Sequence, residues 1–518
     1  MRFNRLSLWM LGITILNLAF VPATSAQVVV WKPGQKEFLP AKATAEQAAT
    51  VSQEKKIVLS ATAEPTPALK YLFWKSPALR QPGNVNAMVS RALIMYLSHP
   101  NRSGLDSQYA KLSERFTELT DPTAIDDLRA HVATQREILD TLYEACSLDS
   151  IELRSTLRSK KGVEVLSANI SEVQNLRSLA RLVQVDASLA IMEHQYDKAI
   201  KAIGAGFRLA EFAKSSGDAN LISGLVSIAI SGMSFDLVEK LSQQVDAPNL
   251  YWALASLPEE LWSQRSSIEG ESASMSRILY PLLEPAEANM TESNWLNRLV
   301  QAAEAVVETN GLSDAMTASS DDKARKSNLA TAQLAVGALL LMFTDRGSEE
   351  LISSGQLADQ VQRMSAAEIL TRCTQLSFER TRDNLFKWSL LPSHGKVYSG
   401  KECQRFSEEM RSDFIVPANV LLGLLVPALQ AADSASMRCS TTHKQLLLHE
   451  ALRAHAAAHN GKLPASLDGL EPVPSWPNPD TQKLFEYQRV SDTEAIVRRK
   501  SFYQGDQSES RIQLRAKQ

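Results

Sequence analysis

The sequence predicts a mainly α-helical protein, made of stacked antiparallel helices with a small C-terminal α+β module. Aromatic residues make up only 6% of the 518 residues, whereas alanine, leucine and serine are abundant, and this composition favours helix over strand. Apolar residues recur at three- and four-residue steps between positions 172 and 242, and one stripe per helix with short loops is typical of helices stacked in chain order. Near the C-terminus a long helical pattern precedes two short strand-like segments.

The first 26 residues have the layout of a secretory signal sequence. Two arginines in "MRFNR" precede the apolar run "LSLWMLGITILNLAFV", and the small residues Thr24 and Ala26 suit a peptidase cut before Gln27. This pattern predicts an exported, periplasmic or secreted protein of bacterial type. The alternative is an uncleaved segment that anchors the chain in the inner membrane and provides its membrane association.

The rest of the chain divides into four parts by composition and periodicity. Residues 27–64 show little periodicity and are predicted to be a flexible lead-in. Residues 65–413 carry the helical array, residues 414–502 the long helix and a β-hairpin, and residues 503–518 a disordered tail.

Two charge-free runs, residues 327–344 and 414–432, are long enough to cross a membrane. The first contains asparagine, threonine and glutamine, and the second contains asparagine, glutamine and two prolines. Neither has a flank rich in lysine and arginine of the kind that sets membrane topology. Both are therefore predicted to be buried core helices.

Charge and motifs favour a protein-binding role over chemistry. A net charge of −3 without a basic cluster gives no basis for binding nucleic acid. The chain has no G-x-S-x-G motif and no phosphate-binding glycine loop. The sequence therefore predicts a non-enzyme without a cofactor, whose partner is a protein or peptide.

Three histidines near the C-terminus, His449, His455 and His459, raise the question of a metal site. His449 and His455 are about 240° apart around a helix and cannot share a face. His455 and His459 are four residues apart and could chelate, but no third ligand is visible. Because His459 precedes Asn460-Gly461, a helix stop signal, a capping or solvated role competes with chelation. No metal site is predicted.

The four cysteines, Cys146, Cys373, Cys403 and Cys439, form no C-x-x-C pair. In an oxidising compartment one or two disulfides can form, and four cysteines allow three complete pairings. Cys373 and Cys403 flank a turn-rich segment. They are the pair predicted to form a disulfide, with Cα atoms about 4.4–6.8 Å apart.

One helical hairpin resembles a tetratricopeptide (TPR) unit. The residues that match the small and bulky positions of this repeat are Ala187, Tyr196, Ala199, Ile203 and Gly206. Asp186 occupies a position that is usually apolar, and no second copy follows at a 34-residue period. The segments "LKYLFWKSPALRQPGN", "YDKAIKAIGAGFRLAEFA" and "NLYWALASLP" also resemble parts of uncharacterised exported helical proteins of bacteria. That resemblance implies no activity.

The C-terminal module resembles the pilin-like proteins of type II secretion systems. The matching residues are Val426, Pro427, Ala428, Gln430, Ala431, Ala432, Cys439, Lys444, Gln445, Ala451, Leu452, His459, Gly461 and Pro464. The segment lacks the Gly-Phe-x-x-x-Glu prepilin peptidase site and lies near the C-terminus. The resemblance therefore implies pilin-like packing rather than polymerisation.

The module is predicted in detail. A helix from about Ser434 to His459 ends at Asn460-Gly461, because glycine tolerates the left-handed conformation there. Its predicted apolar stripe is Leu448, Ala451, Leu452 and Ala458, and Glu450 and Arg453 are predicted to face water. "LFEYQRV" and "EAIVRRK" are predicted to pair as a hairpin across residues 491–493, with Phe485 and Tyr487 packed on or near the helix. Pro417 and Pro427 suggest breaks or kinks.

Three functions remain open at this point. The leading hypothesis is an exported, non-enzymatic helical scaffold or protein-interaction protein of the bacterial cell envelope, because helical arrays bind partners on their concave faces. The first alternative is a secretion- or pilus-associated assembly component, which requires residues 414–460 to form one exposed, continuous helix. The second is a hydrolase with a site that no motif reveals.

Overall fold

The computed structural model describes residues 55–100, 122–151, 160–162, 164–167, 170–215, 220–287, 290–315, 322–391, 405, 417–499 and 508–515. Fifteen α-helices and a small sheet in this part of the chain confirm the mainly α class with a small α+β module. The predicted signal sequence and most of the predicted lead-in, residues 1–54, lie outside the described residues.

The helices follow one another with short connections. In the first half they are α1 (Val85–Leu97), α2 (Pro122–Thr134), α3 (Arg136–Ser147), α4 (Glu164–Ser167), α5 (Ile170–Met192), α6 (Tyr196–Ser215), α7 (Leu221–Ser242) and α8 (Tyr251–Ala255). In the second half they are α9 (Arg265–Ile278), α10 (Tyr280–Leu283), α11 (Glu292–Ala315), α12 (Asp322–Ser353), α13 (Ala358–Val361), α14 (Ala366–Phe386) and α15 (Pro417–Ala458).

Helices α5, α6 and α7 pack on one another and form the centre of the larger hydrophobic core. Asn220 begins α7 with a capping box, in which its side chain and that of Ser223 satisfy each other's backbone N–H groups. On α6, a Cβ atom at Gly206 would lie 2.4 Å from the Ser234 hydroxyl of α7. The glycine is therefore needed for the close approach of these two helices.

Helix α7 is the one described helix that is long and apolar enough to cross a membrane. However, 67% of its most apolar 18-residue window is buried inside the fold, as expected for a core helix. Of the two charge-free runs, residues 327–344 lie within α12, and residues 417–432 begin α15.

A second hydrophobic cluster lies between α9, α11, α12, α14 and the early part of α15. Ile278, Trp295, Val336, Phe378 and Leu429 are among its buried members. Leu334 and Leu341 on α12 are 78% and 91% exposed. Helix α12 therefore buries one side only.

The four-stranded sheet has the order β1-β6-β5-β4 and contains β1 (Lys55–Leu59), β4 (Glu486–Arg489), β5 (Glu494–Arg499) and β6 (Ser508–Leu514). β1 pairs with β6 in parallel, and the other pairs are antiparallel. A separate parallel pair joins β2 (Gln81–Asn84) to β3 (Leu148–Ser150). The predicted hairpin of β4 and β5 is confirmed.

At residues 55–59 and 508–514 the sheet corrects the predictions of a flexible lead-in (27–64) and a disordered tail (503–518), and it adds these strands to the module predicted over residues 414–502. Residues of β1 and β6 are buried, including Ile57, Leu59 and Ile512, each 0% exposed. β1 finds its hydrogen-bond partners in β6, and β6 is paired on both sides, with β1 and with β5. The module thus includes both ends of the described chain.

Helix α15 is longer than predicted: it begins at Pro417 and continues through Pro427 without a break. Its end is confirmed. Asn460 and Gly461 have positive φ angles of 54° and 79°, and the Gly461 N–H donates to the carbonyl of Ala456 at 2.7 Å. This bond is the 6→1 bond of a Schellman motif.

Burial along α15 confirms part of the predicted stripe and corrects the rest. Leu448, Ala451 and Leu452 are 0% exposed, whereas Ala458 is exposed. Glu450 and Arg453, predicted to face water, are 1% and 0% exposed, because the segment after β1 and the connection between α7 and α8 cover that face. The module therefore shares one core with the helices and is not a separate cap.

Candidate functional site

The candidate site is an open groove beside α3. Helix α3 is amphipathic: Ile138, Leu139 and Leu142 are buried, and three acidic side chains follow at three- and four-residue steps on the exposed side. The groove has a volume of about 570 Å³ and is lined by Arg91, Ala133, Thr134, Arg136, Glu137, Asp140, Thr141 and Glu144. We call it the α1–α3 groove.

The groove presents charge of both signs. Glu137, Asp140 and Glu144 of α3 form an acidic ridge, and Arg91 projects from α1 on the other side. The Thr141 hydroxyl donates to the backbone carbonyl of Glu137 at 2.8 Å. The lining is therefore suited to bind charged groups rather than to activate a nucleophile.

Beneath the groove, a buried carboxylate connects three helices. Asp186 of α5 is 0% exposed, and the Arg136 guanidinium lies 3.0 Å and the Lys198 ammonium 3.4 Å from its Oδ1. The Tyr143 hydroxyl donates to the other oxygen, Oδ2. We call these four residues the Asp186 cluster. Because an unpaired buried carboxylate is unfavourable, the three partners are what allow Asp186 to lie in the core.

The protonation of Tyr143 fits its role as a donor. Burial, followed by the neighbouring charge of Asp186, raises the pKa of the Tyr143 phenol well above its usual range. Its hydroxyl stays protonated and donates to the carboxylate. The Lys201 ammonium lies 5.7 Å from the centre of the Tyr143 ring, which adds a cation–π contact.

Arg136 joins the buried cluster to the surface. Its Nη2 bonds to buried Asp186, and its Nη1 lies 3.6 Å from Asp140, whose side chain is 63% exposed. The Arg136 side chain is itself 39% exposed. Asp186 therefore holds the Arg136 guanidinium in place, and Arg136 in turn positions the exposed Asp140 carboxylate at the groove.

A second open groove of about 560 Å³ lies where α12, α13 and α14 meet. Its lining is Gly355, Gln356, Leu357, Gln360, Arg363, Met364, Glu368 and Arg372. Glu368 and Arg372 form an ion pair four residues apart on one helix, which is a common surface arrangement. No comparable buried anchor of this groove is found in the described residues, and the α1–α3 groove is the stronger candidate.

A further charged network lies inside the core. Every N–H group of Arg453 has an acceptor. The acceptors are the Glu450 carboxylate, the carbonyl oxygens of Ser60, Ala247 and Pro248, and the Thr62 hydroxyl. Glu450 also accepts the backbone N–H of Leu250 at 2.7 Å. This Arg453 hub connects the segment after β1, the α7–α8 connection and α15. Because it is closed to solvent, its role is structural.

The predicted disulfide stays a prediction. Cys373 of α14 is buried and has no disulfide partner among the described residues, and Cys403 lies outside them. Burial raises the pKa of Cys373 to about 11, so the thiol is protonated at neutral pH.

Sequence reasoning found one part of the site. The sequence showed Asp186 at a position of the TPR-like hairpin that is usually apolar. It did not identify its partners Tyr143 and Arg136, because they lie on another helix. The acidic spacing of α3 was a detectable signal for the groove.

Comparison of the chain with protein-family models, with curated proteins and with solved structures returned no match, so the TPR-like and pilin-like resemblances stay predictions.

Proposed function

We propose that this protein is an exported, non-enzymatic helical scaffold of the bacterial cell envelope that binds a protein partner in the α1–α3 groove. The observation that carries the proposal is the acidic ridge of α3 over the Asp186 cluster. Because the Asp186 cluster holds the side chains beside the groove in place, less conformational entropy is lost when a partner binds. The signal-like first 26 residues support an envelope location.

The chemistry of the surface indicates what the partner presents. Glu137, Asp140 and Glu144 complement lysine or arginine side chains. Three residues after Arg91 and on the same exposed side of α1, Ile94 is 64% exposed. An apolar patch beside a charged rim is typical of protein interfaces. We infer a helix or extended segment with basic side chains and an apolar anchor.

The burial of α15 weighs against the assembly alternative. That hypothesis needs an exposed helix over residues 414–460, but Leu446, Leu447 and Leu448 are at most 2% exposed. Side chains that already fill the core cannot pack against another subunit without unfolding.

Photo-crosslinking in intact cells tests the proposal. A photoreactive amino acid replaces Glu137 in the groove, and a matched variant carries it at Glu349, an exposed acidic residue of α12. The expected result is a discrete crosslinked protein from the Glu137 position that is lost when Asp140 and Glu144 are changed to lysine. Equal crosslinks from both positions, or none from Glu137, would contradict the proposal.

A further inference from the structure

Two histidine rings lie face to face at the exposed end of α15. His455 and His459 are four residues apart and share one face of the helix. Their ring centroids are 3.9 Å apart, and the ring planes differ by 16°. His459 is exposed and His455 is partly exposed, so an ion from solvent can reach the pair.

The hydrogen bonds of both rings determine which nitrogen is available. The Nδ1 atom of His455 lies 3.0 Å from the carbonyl oxygen of Glu471, and that of His459 lies 2.9 Å from the carbonyl oxygen of His455. Because a carbonyl oxygen only accepts, each Nδ1 carries the proton in the neutral ring. Each Nε2 then has a free lone pair, and this tautomer is the one that metal-binding histidines commonly adopt.

The local charges permit a cation. Helix α15 ends at Ala458, and the carbonyl end of a helix carries partial negative charge. The nearby cationic side chains Lys462 and Arg489 both pair with Asp492.

We propose that His455 and His459 form a two-ligand clamp for a late first-row divalent cation, which both rings bind through Nε2 while water completes the coordination. Imidazole nitrogens suit Cu²⁺, Ni²⁺ and Zn²⁺, with Cu²⁺ bound most tightly. Metal–nitrogen distances of about 2.0–2.1 Å place two ligand nitrogens about 3 Å apart. Because each lone pair lies in its ring plane, binding requires the two rings to turn out of the stacked arrangement until both Nε2 atoms face one ion. The described residues contain no group of three or more metal-binding side chains, so the clamp is a weak, exchangeable site.

Calorimetric titration of the untagged full chain with NiCl₂ at pH 7.5 tests the clamp. We expect one ion per chain, and at least tenfold weaker binding in His455→Ala and in His459→Ala, because the second ligand acts at high effective concentration. His194→Asn is the matched control, because His194 is exposed in the turn between α5 and α6 and asparagine tolerates its positive φ of 57°. Its affinity should equal that of the unmodified chain.

A variant with one histidine moved tests whether binding depends on the spacing of the two histidines or only on their number. In the double variant Ala457→His, His459→Ala, the two histidines are two residues apart and point about 200° away from each other. We expect affinity as weak as in His459→Ala, with an unchanged circular dichroism spectrum. Affinity equal to that of the unmodified chain in this variant or in His459→Ala, or no binding at about 1 mM Ni²⁺ to the unmodified chain, would overturn the proposal.

Discussion

The Arg453 hub and the Asp186 cluster are both charged networks that connect distant segments of the chain, but only the cluster reaches solvent. In the hub, Arg453 and Glu450 are 0% and 1% exposed. In the cluster, Asp186 is 0% exposed, whereas its partners Arg136 and Lys198 are 39% and 36% exposed. The hub connects distant segments of the chain, and the cluster holds a surface cation beside a groove. A charged network that is fully buried therefore stabilises the fold only, whereas a network with a partly exposed side chain can also bind a ligand.

The largest expected effect is in the hub. Arg453→Met leaves the buried Glu450 carboxylate without its cation, and the expected loss is about 3–5 kcal/mol of unfolding free energy. Urea denaturation measures it. The control is Arg265→Met, because Arg265 is 57% exposed and pairs with Glu269 on the same helix; its loss should stay below about 0.5 kcal/mol. Similar losses of unfolding free energy in both variants would show that the buried ion pair of the hub stabilises the fold no more than an exposed ion pair does.

Acid should destabilise the region around the hub. His443 and His449 of α15 are buried, and this burial lowers the pKa of each ring from 6.5 to about 4. The unfolded chain therefore binds more protons below pH 6.5, and stability falls as the pH decreases from 6.5 towards 4. At pH 5.5 we expect a loss of roughly 1 kcal/mol per histidine.

His449→Leu sharpens the pH prediction. Among the described residues, neither ring nitrogen of His449 has a hydrogen-bond partner, so leucine removes a titrating group without breaking a bond. Denaturation curves from pH 7.5 to 5 should show a smaller decrease for this variant than for the unmodified chain or for His194→Asn. An equal decrease in all three would assign the acid sensitivity to other groups.

The Asp186 cluster should tolerate change better than the hub. Asp186→Asn removes the buried charge, but Arg136 and Lys198 can turn to solvent, and the expected loss is about 1–2 kcal/mol by urea denaturation. Asp140→Asn changes the exposed carboxylate on the other side of Arg136 and should cost less than about 0.5 kcal/mol. If Asp186→Asn costs as much as Arg453→Met, the distinction between the two networks fails.

Local sequence patterns predicted the helices and the hairpin. They did not predict β1 and β6, which depend on pairing between distant parts of the chain. The Asn460-Gly461 stop and the alternation on both sides of residues 491–493 need only neighbouring residues. β1 has little pattern of its own and becomes a strand because it pairs with β6 from the opposite end of the chain, whereas β6 is paired on both sides, with β1 and with β5.

Charged residues on α15 were the hardest feature to predict. Glu450 and Arg453 are three residues apart, and such pairs usually lie on solvated helix faces. Their acceptors are backbone carbonyls of distant segments, which leave no signal in the sequence. Asp186 was easier to identify as unusual, because it replaces an apolar residue in a resembling repeat. Its partners still required the fold.

One measurement tests the central claim most directly. The protein that is crosslinked at position 137 is purified, and its affinity for variants of this chain is measured. The triple variant Glu137→Lys, Asp140→Lys, Glu144→Lys reverses the acidic ridge of the α1–α3 groove, and Glu349→Lys is the control on α12. We predict at least tenfold weaker binding by the triple variant in calorimetry, with an unfolding free energy within about 0.5 kcal/mol of the unmodified chain because these positions are exposed. Unchanged affinity in the triple variant, or equal weakening by Glu349→Lys, would contradict the assignment of the groove as the partner-binding surface.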